Sequence, residues 1–341
     1  MIIDIFNHFM PKPYFDRLGD LIPGHPVLAA FPRLRPLLDV DARLRLLDEF
    51  GDMQHVLSLA NPPLELIAGP DKTPELARLA NDALAEVCRK HPDRFPAFIA
   101  SLPMNNIEAS LTEIDRAVKD LHACGIQLFT NVTGRPLSAP EYRPIFARMV
   151  AHDLPVWVHP MRTAQFSDYA SEQASENEIW FSFGWPYETT ACMTRLIYSG
   201  IFDEMPALKI VSHHMGGMIP YFSGKIKLPA DFLRRAGEKS SGRRCRAEKA
   251  TGRLFQDALC RHRARRGRAD PLRPRFFRHV ALFVCQRCAV RFRTGPGPAA
   301  QFDRGGGGAG DFADGEGCDL CREYEEAVEV VTAVSRTRCS A

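Results

Sequence analysis

No stretch of this 341-residue chain approaches the 18 or so consecutive apolar residues that a membrane-crossing helix needs. The opening Met1-Ile2-Ile3-Asp4 lacks the basic segment and apolar run of a secretory signal, so a cytoplasmic protein that meets no membrane is expected. No G-x-G-x-x-G or phosphate-loop pattern follows the first apolar run, which disfavours a nucleotide-binding doubly wound sheet. Cysteine is scarce over residues 1–240, with Cys88, Cys124 and Cys192 alone, and lysine is nearly missing from residues 241–341, which hold one. What is present, 45% hydrophobic and 25% charged residues, is globular composition and excludes disorder along the whole length.

Those two scarcities lie on either side of a compositional break. Residues 1–240 carry 24 Lys+Arg against 29 Asp+Glu, a net charge of −5. Residues 241–341 carry 20 against 12, a net +8, and 19 of those 20 cations are arginine. The same tail holds seven of the ten cysteines. One set of folding rules does not explain both compositions, so a domain over residues 1–235 and an atypical Arg/Gly/Cys-rich tail over 236–341 are expected.

Within the first part, apolar runs of strand length recur at Ile2–Phe6, Met53–Ala60, Phe95–Leu102, Ile126–Thr130, Pro155–Val158 and Leu208–Ser212. Most are continuous rather than alternating, as in strands covered on both faces. Helical patterns lie between them. The clearest is Thr73–His91, where Thr73 can cap the first turn, Pro74 suits the first helical position, and Leu76, Leu79, Ala80, Ala83, Leu84 and Val87 make an apolar stripe. Others run through Asp41–Phe50, Ile107–Ala123, Ala139–His152, Pro186–Ser199 and Gly216–Ile226. Strands alternating with helices of this length point to right-handed crossovers, a parallel sheet and a (β/α)-barrel.

Four of the eleven histidines fall just after strand candidates: His8, His159, and the pair His213 and His214. In a (β/α)-barrel the carboxyl ends of all strands open onto one face, so these imidazoles converge there and can hold a divalent metal. His55 falls inside a strand candidate, and His25, His91, His122 and His152 fall in loops or at helix ends; these read as structural.

Four segments carry a resemblance: Met1-Ile-Ile-Asp-Ile-Phe-Asn-His-Phe-Met-Pro11, Pro155-Val-Trp-Val-His-Pro160, Gly184-Trp-Pro-Tyr-Glu-Thr-Thr190, and Pro206-Ala-Leu-Lys-Ile-Val-Ser-His-His-Met-Gly-Gly-Met-Ile-Pro220. Over about residues 1 to 230 the chain resembles the amidohydrolase-related decarboxylases of the aminocarboxymuconate-semialdehyde decarboxylase type. The resemblance implies a TIM-type barrel of the metal-dependent hydrolases. It implies a metal, zinc by expectation, bound by a His-x-His pair after strand one, a His after strand five and an Asp after strand eight. A further His after strand six would activate water or move protons. Carried over, His8 is similar to the second member of the pair, His159 to the strand-five ligand, and His214 to the strand-six His, with His213 the neighbour to test against it. Two positions depart from that pattern. Phe6 stands where the first His usually is and has no lone pair to donate, and no Gly-Thr-Asp-like motif follows an apolar strand in residues 241–341. Asp303, Asp311 and Asp314 lie in a glycine-rich stretch.

Arg43 and Arg45 are candidates to hold a substrate carboxylate, with Arg33 in the preceding loop, although a charged helix face explains them as well. Trp185, Tyr187 and Glu188 open a helix where aromatic walls and a carboxylate can line a pocket or simply pack and cap. The polar loop Gln165–Phe183 suits either a lid over the barrel mouth or a plain insertion.

The tail has strand-length apolar runs only at Val280–Val284 and Val328–Val334. Cys285-x-x-Cys288 and Cys318-x-x-Cys321 have the form of a four-thiolate zinc site beside an arginine-rich arm, but the 29 residues between them exceed the usual spacing, and nucleic acid is not expected as a partner. The composition is instead what a GC-rich coding sequence gives when translated out of frame. The barrel is therefore expected to be incomplete or disrupted after its sixth strand. On this resemblance the expected function is metal-dependent removal of CO2 from a small unsaturated or aromatic carboxylic acid. The alternatives are hydrolysis of an amide, ester or lactone by the same site, or a catalytically dead remnant of the family. The expected partners are the small carboxylate substrate and a second copy of the chain in a homodimer.

Overall fold

The computed structural model describes residues 2–219, together with residues 221, 222 and 225 and the backbone of 281–283. The tail cysteines Cys285, Cys288, Cys318 and Cys321, the aspartates Asp303, Asp311 and Asp314, and most of the stretch beyond residue 219 expected as the end of the Gly216–Ile226 helix lie outside the described residues.

All six apolar runs of the first part form parallel strands: β1 (Ile2–Phe9), β2 (Met53–Leu59), β3 (Phe98–Ser101), β4 (Ile126–Phe129), β5 (Val156–His159) and β6 (Ile210–Ser212). A seventh, β7 (Ala281–Phe283), falls in the tail's first apolar run and pairs parallel with β6, Phe283 opposite Ser212. Each strand bonds to the next in chain order, giving one parallel sheet that curls into a partial barrel. Among the described residues its open edges are β1 and β7.

The principal crossover helices are α1 (Lys12–Leu21), α2 (Val40–Asp48), α3 (Thr73–Lys90), α4 (Ile107–Lys119), α5 (Arg143–Ala151) and α6 (Trp185–Tyr198). Capping begins two of them: Asp39 accepts from the Ala42 amide at 3.0 Å and Asn106 from the Ala109 amide at 3.1 Å. Thr73 does not cap α3. It is the first residue of the helix rather than the cap, fully buried, and donates its hydroxyl to Asn105 Oδ1 at 2.6 Å. The predicted stripe does face inward, with Leu76, Ala80 and Leu84 buried. Among the described residues no helix is long and apolar enough to cross a membrane.

Alternation along the strands divides the core in two. Leu57, Phe98, Ala100, Ile126, Leu128, Val156, Val158 and Ile210 point outward beneath the helices and pack with Leu84, Ile114, Phe146, Met149 and Leu196. Val56, Ala97, Ile99, Cys124, Trp157 and Val211 pack with Ile3, Ile5 and Phe6 as the floor of the lumen. Burying each large aliphatic side chain contributes about 1.5–3 kcal/mol.

Strand β1 breaks the alternation. Its register runs Asp4 to His55 but Asn7 to Leu57, so β1 has one residue more than β2 over that span. This bulge lets the consecutive residues Ile5 and Phe6 both reach the lumen. Beyond it the parity is inverted: Phe9 packs in the outer core, and His8, paired with Ser58, turns toward the lumen. The kink is held by Asp4, whose Oδ1 accepts from the Phe6 amide at 3.0 Å and whose carbonyl accepts from Asn7 Nδ2 at 3.1 Å. Asp4→Ala is expected to lower the unfolding free energy by about 1–3 kcal/mol in chemical denaturation, because the Phe6 amide loses its acceptor. A change within about 0.3 kcal/mol would show that the bulge is held elsewhere.

Candidate metal centre

Three imidazoles meet at the carboxyl end of the sheet: His8 near the end of β1, His159 as the last residue of β5, and His213 just after β6. One ring nitrogen from each lies within 4.8 Å of the other two. The ring centroids are 5.0 Å apart for His8 and His159, 4.6 Å for His159 and His213, and 5.8 Å for His8 and His213, whose planes are parallel within 4°.

Backbone carbonyls set the tautomers. His159 Nδ1 lies 2.7 Å from the Pro160 carbonyl oxygen and His213 Nδ1 lies 3.0 Å from that of Val158. A carbonyl can only accept, so each neutral ring carries its hydrogen on Nδ1 and keeps a lone pair on Nε2. His8 Nδ1 sits 3.0 Å from Ser58 Oγ. His213 Nε2 is buried with no hydrogen-bond partner. Burial, and then the neighbouring histidines, hold His159 and His213 well below the usual imidazole range, and burial with His214 nearby takes His8 down to about 4. All three are neutral donors at neutral pH. Oriented, desolvated lone pairs converging from three strands fit a divalent cation.

His214 stands beside this cluster. It has a positive φ of 53° and stacks on Trp185, with centroids 5.7 Å apart and planes 25° apart, while its ring centroid lies 5.7 Å from that of His159. Its Nδ1 is buried without a partner, and burial lowers its basicity. Gly217 makes the turn that presses this segment onto α6: its φ is +65°, and a Cβ there would lie 2.4 Å from the Pro186 carbonyl oxygen. Phe6 contributes only an apolar wall, its ring meeting that of His213 edge-on at 4.3 Å.

The predicted substrate arginines lie elsewhere. Arg43 is buried and fastens β1 to its surroundings: Nη2 donates to the His8 carbonyl at 2.6 Å, Nε to the Pro36 carbonyl at 2.7 Å, and Nη1 to His55 Nδ1 at 3.2 Å. Arg45 and Arg33 are exposed, as is Tyr187. Trp185 lines the cluster, its centroid 5.2 Å from that of His159, and Trp180 and Phe181 of the Gln165–Phe183 loop pack against it at 5.9 and 4.6 Å. Glu188 faces Arg162 at 3.6 Å, and burial raises its carboxyl above the usual range, Arg162 opposing the shift. Arg162 was missed from sequence. It lies between Glu188 and Asp168, 3.8 Å away, and its carbonyl accepts from Trp185 Nε1 at 3.1 Å. Its position three residues past the end of β5 was the available signal.

His55 gives a pH test independent of the cluster. Burial, then Arg43 beside it, lowers its pKa from 6.5 to about 3. The unfolded chain therefore takes up a proton on falling below pH 6.5 that the folded chain refuses until about pH 3. Stability present above pH 6.5 is lost through that window, at up to about 1.4 kcal/mol per pH unit for this group. In urea denaturation between pH 7.5 and 5, His55→Gln is expected to show a shallower decline than the parent; parallel curves would refute the assignment.

Residues 3–241 match the amidohydrolase family. The gamma-resorcylate decarboxylase of Rhizobium sp. (strain MTP-10005) is 36% identical over 200 residues, covering 56% of this chain and 60% of that protein. The 2-amino-3-carboxymuconate-6-semialdehyde decarboxylase of Dictyostelium discoideum is 30% identical over 189 residues, 55% of this chain and 51% of that protein. The matched part of the chain thus spans between half and two thirds of these relatives' length. The dihydroxybenzoic acid decarboxylase from Polaromonas sp. JS666, solved with bound manganese and the inhibitor 2-nitroresorcinol, superposes with a TM-score of 0.57 at 29% identity over 76% of each chain. A family match that runs through every strand from β1 to β6 establishes that the chain belongs to the amidohydrolase family, in which it is similar to decarboxylases of both kinds.

Proposed function

We propose that the chain is a metal-dependent carbon–carbon lyase that removes CO2 from a small aromatic or unsaturated carboxylic acid. The observation that carries this reading is the convergence of three neutral imidazoles, His159 and His213 buried and His8 half-buried, at the strand ends of a sheet shared with decarboxylases. His8, His159 and His213 would hold the ion. A divalent cation held there supplies Lewis-acid polarisation of substrate oxygens. An all-imidazole set suits zinc, which we propose here, although the Polaromonas relative was solved with manganese.

The protein's own groups account for the remaining steps. When the bond between ring and carboxylate breaks, CO2 leaves and the electron pair stays on the ring carbon, which must gain a proton. His214 is the donor: it sits against the cluster, and it takes from solvent in each turnover the proton it delivers to the ring carbon. Trp185 offers a flat wall for an aromatic ring, and Arg162 with Glu188 borders that wall as the polar side of the substrate site. Arg43 positions His8 through its carbonyl rather than meeting substrate. Residues 1–235 carry the catalytic groups and residues 236–341 are an out-of-frame tail, a division supported by the end of the family match at residue 241, with Ala281–Phe283 of the tail adding an edge strand beside β6.

The test uses the full chain with zinc or manganese and a panel of small aromatic acids that includes 2,6-dihydroxybenzoate, run in deuterated water. One CO2 and one ring deuterium per turnover are expected. His214→Ala should lower kcat by about 100-fold or more with metal content unchanged. Products that carry solvent oxygen, or no CO2 from any acid, would contradict the proposal.

A further inference from the structure

Unlike His159 and His213, His214 has no hydrogen bond on Nδ1 to aim its ring: that nitrogen is buried without a partner, and the imidazole is placed by its backbone and by stacking on Trp185. The backbone is an unusual one. His214, Gly216 and Gly217 have φ of +53°, +75° and +65°, a half of conformational space that a histidine rarely enters unless its surroundings hold it there. Two turn bonds, from the Gly216 amide to the His213 carbonyl at 3.2 Å and from the Gly217 amide to the His214 carbonyl at 3.0 Å, set the shape of this segment. They do not set its place against the cluster.

Its place is fixed at both ends. In front, the His213 amide donates to the Val158 carbonyl of β5 at 3.1 Å. Behind, the Met218 amide donates to Thr190 Oγ1 at 2.8 Å. An amide can only donate, so the Thr190 oxygen accepts there and its own hydrogen goes to the Pro186 carbonyl, 2.7 Å away. That second bond is the usual one of a helical threonine to the carbonyl four residues back, and it leaves the hydroxyl no other orientation. The approach is close: a Cβ on Gly217 would lie 2.9 Å from Thr190 Oγ1 as well as against the Pro186 carbonyl. Thr190 stands on α6, the helix whose first residue, Trp185, stacks on His214 and meets His159 at 5.2 Å.

The structure assigns Thr190 as the residue that positions His214: its hydroxyl ties the turn after β6 to the first turns of α6 and so keeps the imidazole stacked on Trp185 beside the histidine cluster. The consequence for proton delivery rests on the lyase reading above, whereas the placement does not. Without the hydroxyl the Met218 amide loses its acceptor and the turn is free to shift. A displacement on the order of 1 Å at a proton donor slows its step by up to about 100-fold. Valine keeps the shape of threonine without the hydroxyl, and serine keeps the hydroxyl without the methyl, so the two substitutions separate the bond from the packing.

The experiment compares the metal-loaded full chain with Thr190→Val, Thr190→Ser, His214→Ala and the double variant Thr190→Val/His214→Ala, on the most active acid of the panel above. Thr190→Val is expected to lower kcat by about 10- to 100-fold with KM and metal content within about twofold, and Thr190→Ser to stay within about threefold of the parent. Once His214 is alanine, Thr190→Val should cost nothing further, because the threonine acts through the histidine. An equal loss from Thr190→Val in the parent and in the His214→Ala background, or a loss in Thr190→Ser as large as in Thr190→Val, would overturn the assignment. Hydrogen exchange over residues 213–219, read by mass spectrometry, needs no turnover: faster exchange in Thr190→Val with parental exchange in Thr190→Ser is expected, and unchanged exchange in Thr190→Val would overturn the placement. A parent that releases no CO2 from any acid would sink the lyase reading and leave the exchange result to decide the positioning.

Discussion

The extra residue between Asp4 and Asn7 decides where β1 aims its last side chains. With strict alternation, Ile3 and Ile5 in the lumen would send His8 outward into the helix layer. The bulge inverts the parity, so His8 faces Ser58 and the other histidines while Phe9 takes the place in the outer core. Asp4 satisfies the amide that the bulge leaves unpaired, and Arg43 bonds the carbonyl of His8 from the other side. The site thus depends on a backbone irregularity held by one carboxylate and one guanidinium, both outside the cluster itself.

Neutrality of the imidazoles is the second requirement, and the fold meets it by burial. His159 and His213 are each 1% exposed and bonded through Nδ1 to carbonyl oxygens that accept but cannot donate. Fixing the tautomer in this way spares the cluster a reorganisation when a cation enters, since Nε2 already carries the lone pair. Phe6 suits this arrangement: an apolar ring against His213 strengthens the desolvation that keeps the imidazole uncharged.

Much of the framework was legible in the sequence because continuous apolar runs and long amphipathic helices are strong periodic signals; β1 to β6 and α3 are where the pattern places them. His8 and His159 were legible from their place at strand ends. The role of His213 was harder to read, since two histidines are adjacent in sequence after β6 and only the folded chain brings a ring nitrogen of His213 within 4.8 Å of those of His8 and His159. The β1 bulge left no sequence signal, because Asp4-Ile5-Phe6-Asn7 fits an unbroken strand equally well. Arg43 looked like a substrate ligand because charge on a helix near a strand end is common to both roles. Its burial against four acceptors became visible only when Pro36, Asn7, His8 and His55 were brought together.

The most direct measurement is X-ray absorption at the zinc edge of the full chain carrying one equivalent of zinc, compared with His213→Ala. The account predicts three imidazole donors in the parent and two in the variant. A parent spectrum with two imidazoles or fewer, unchanged by the substitution, would contradict it.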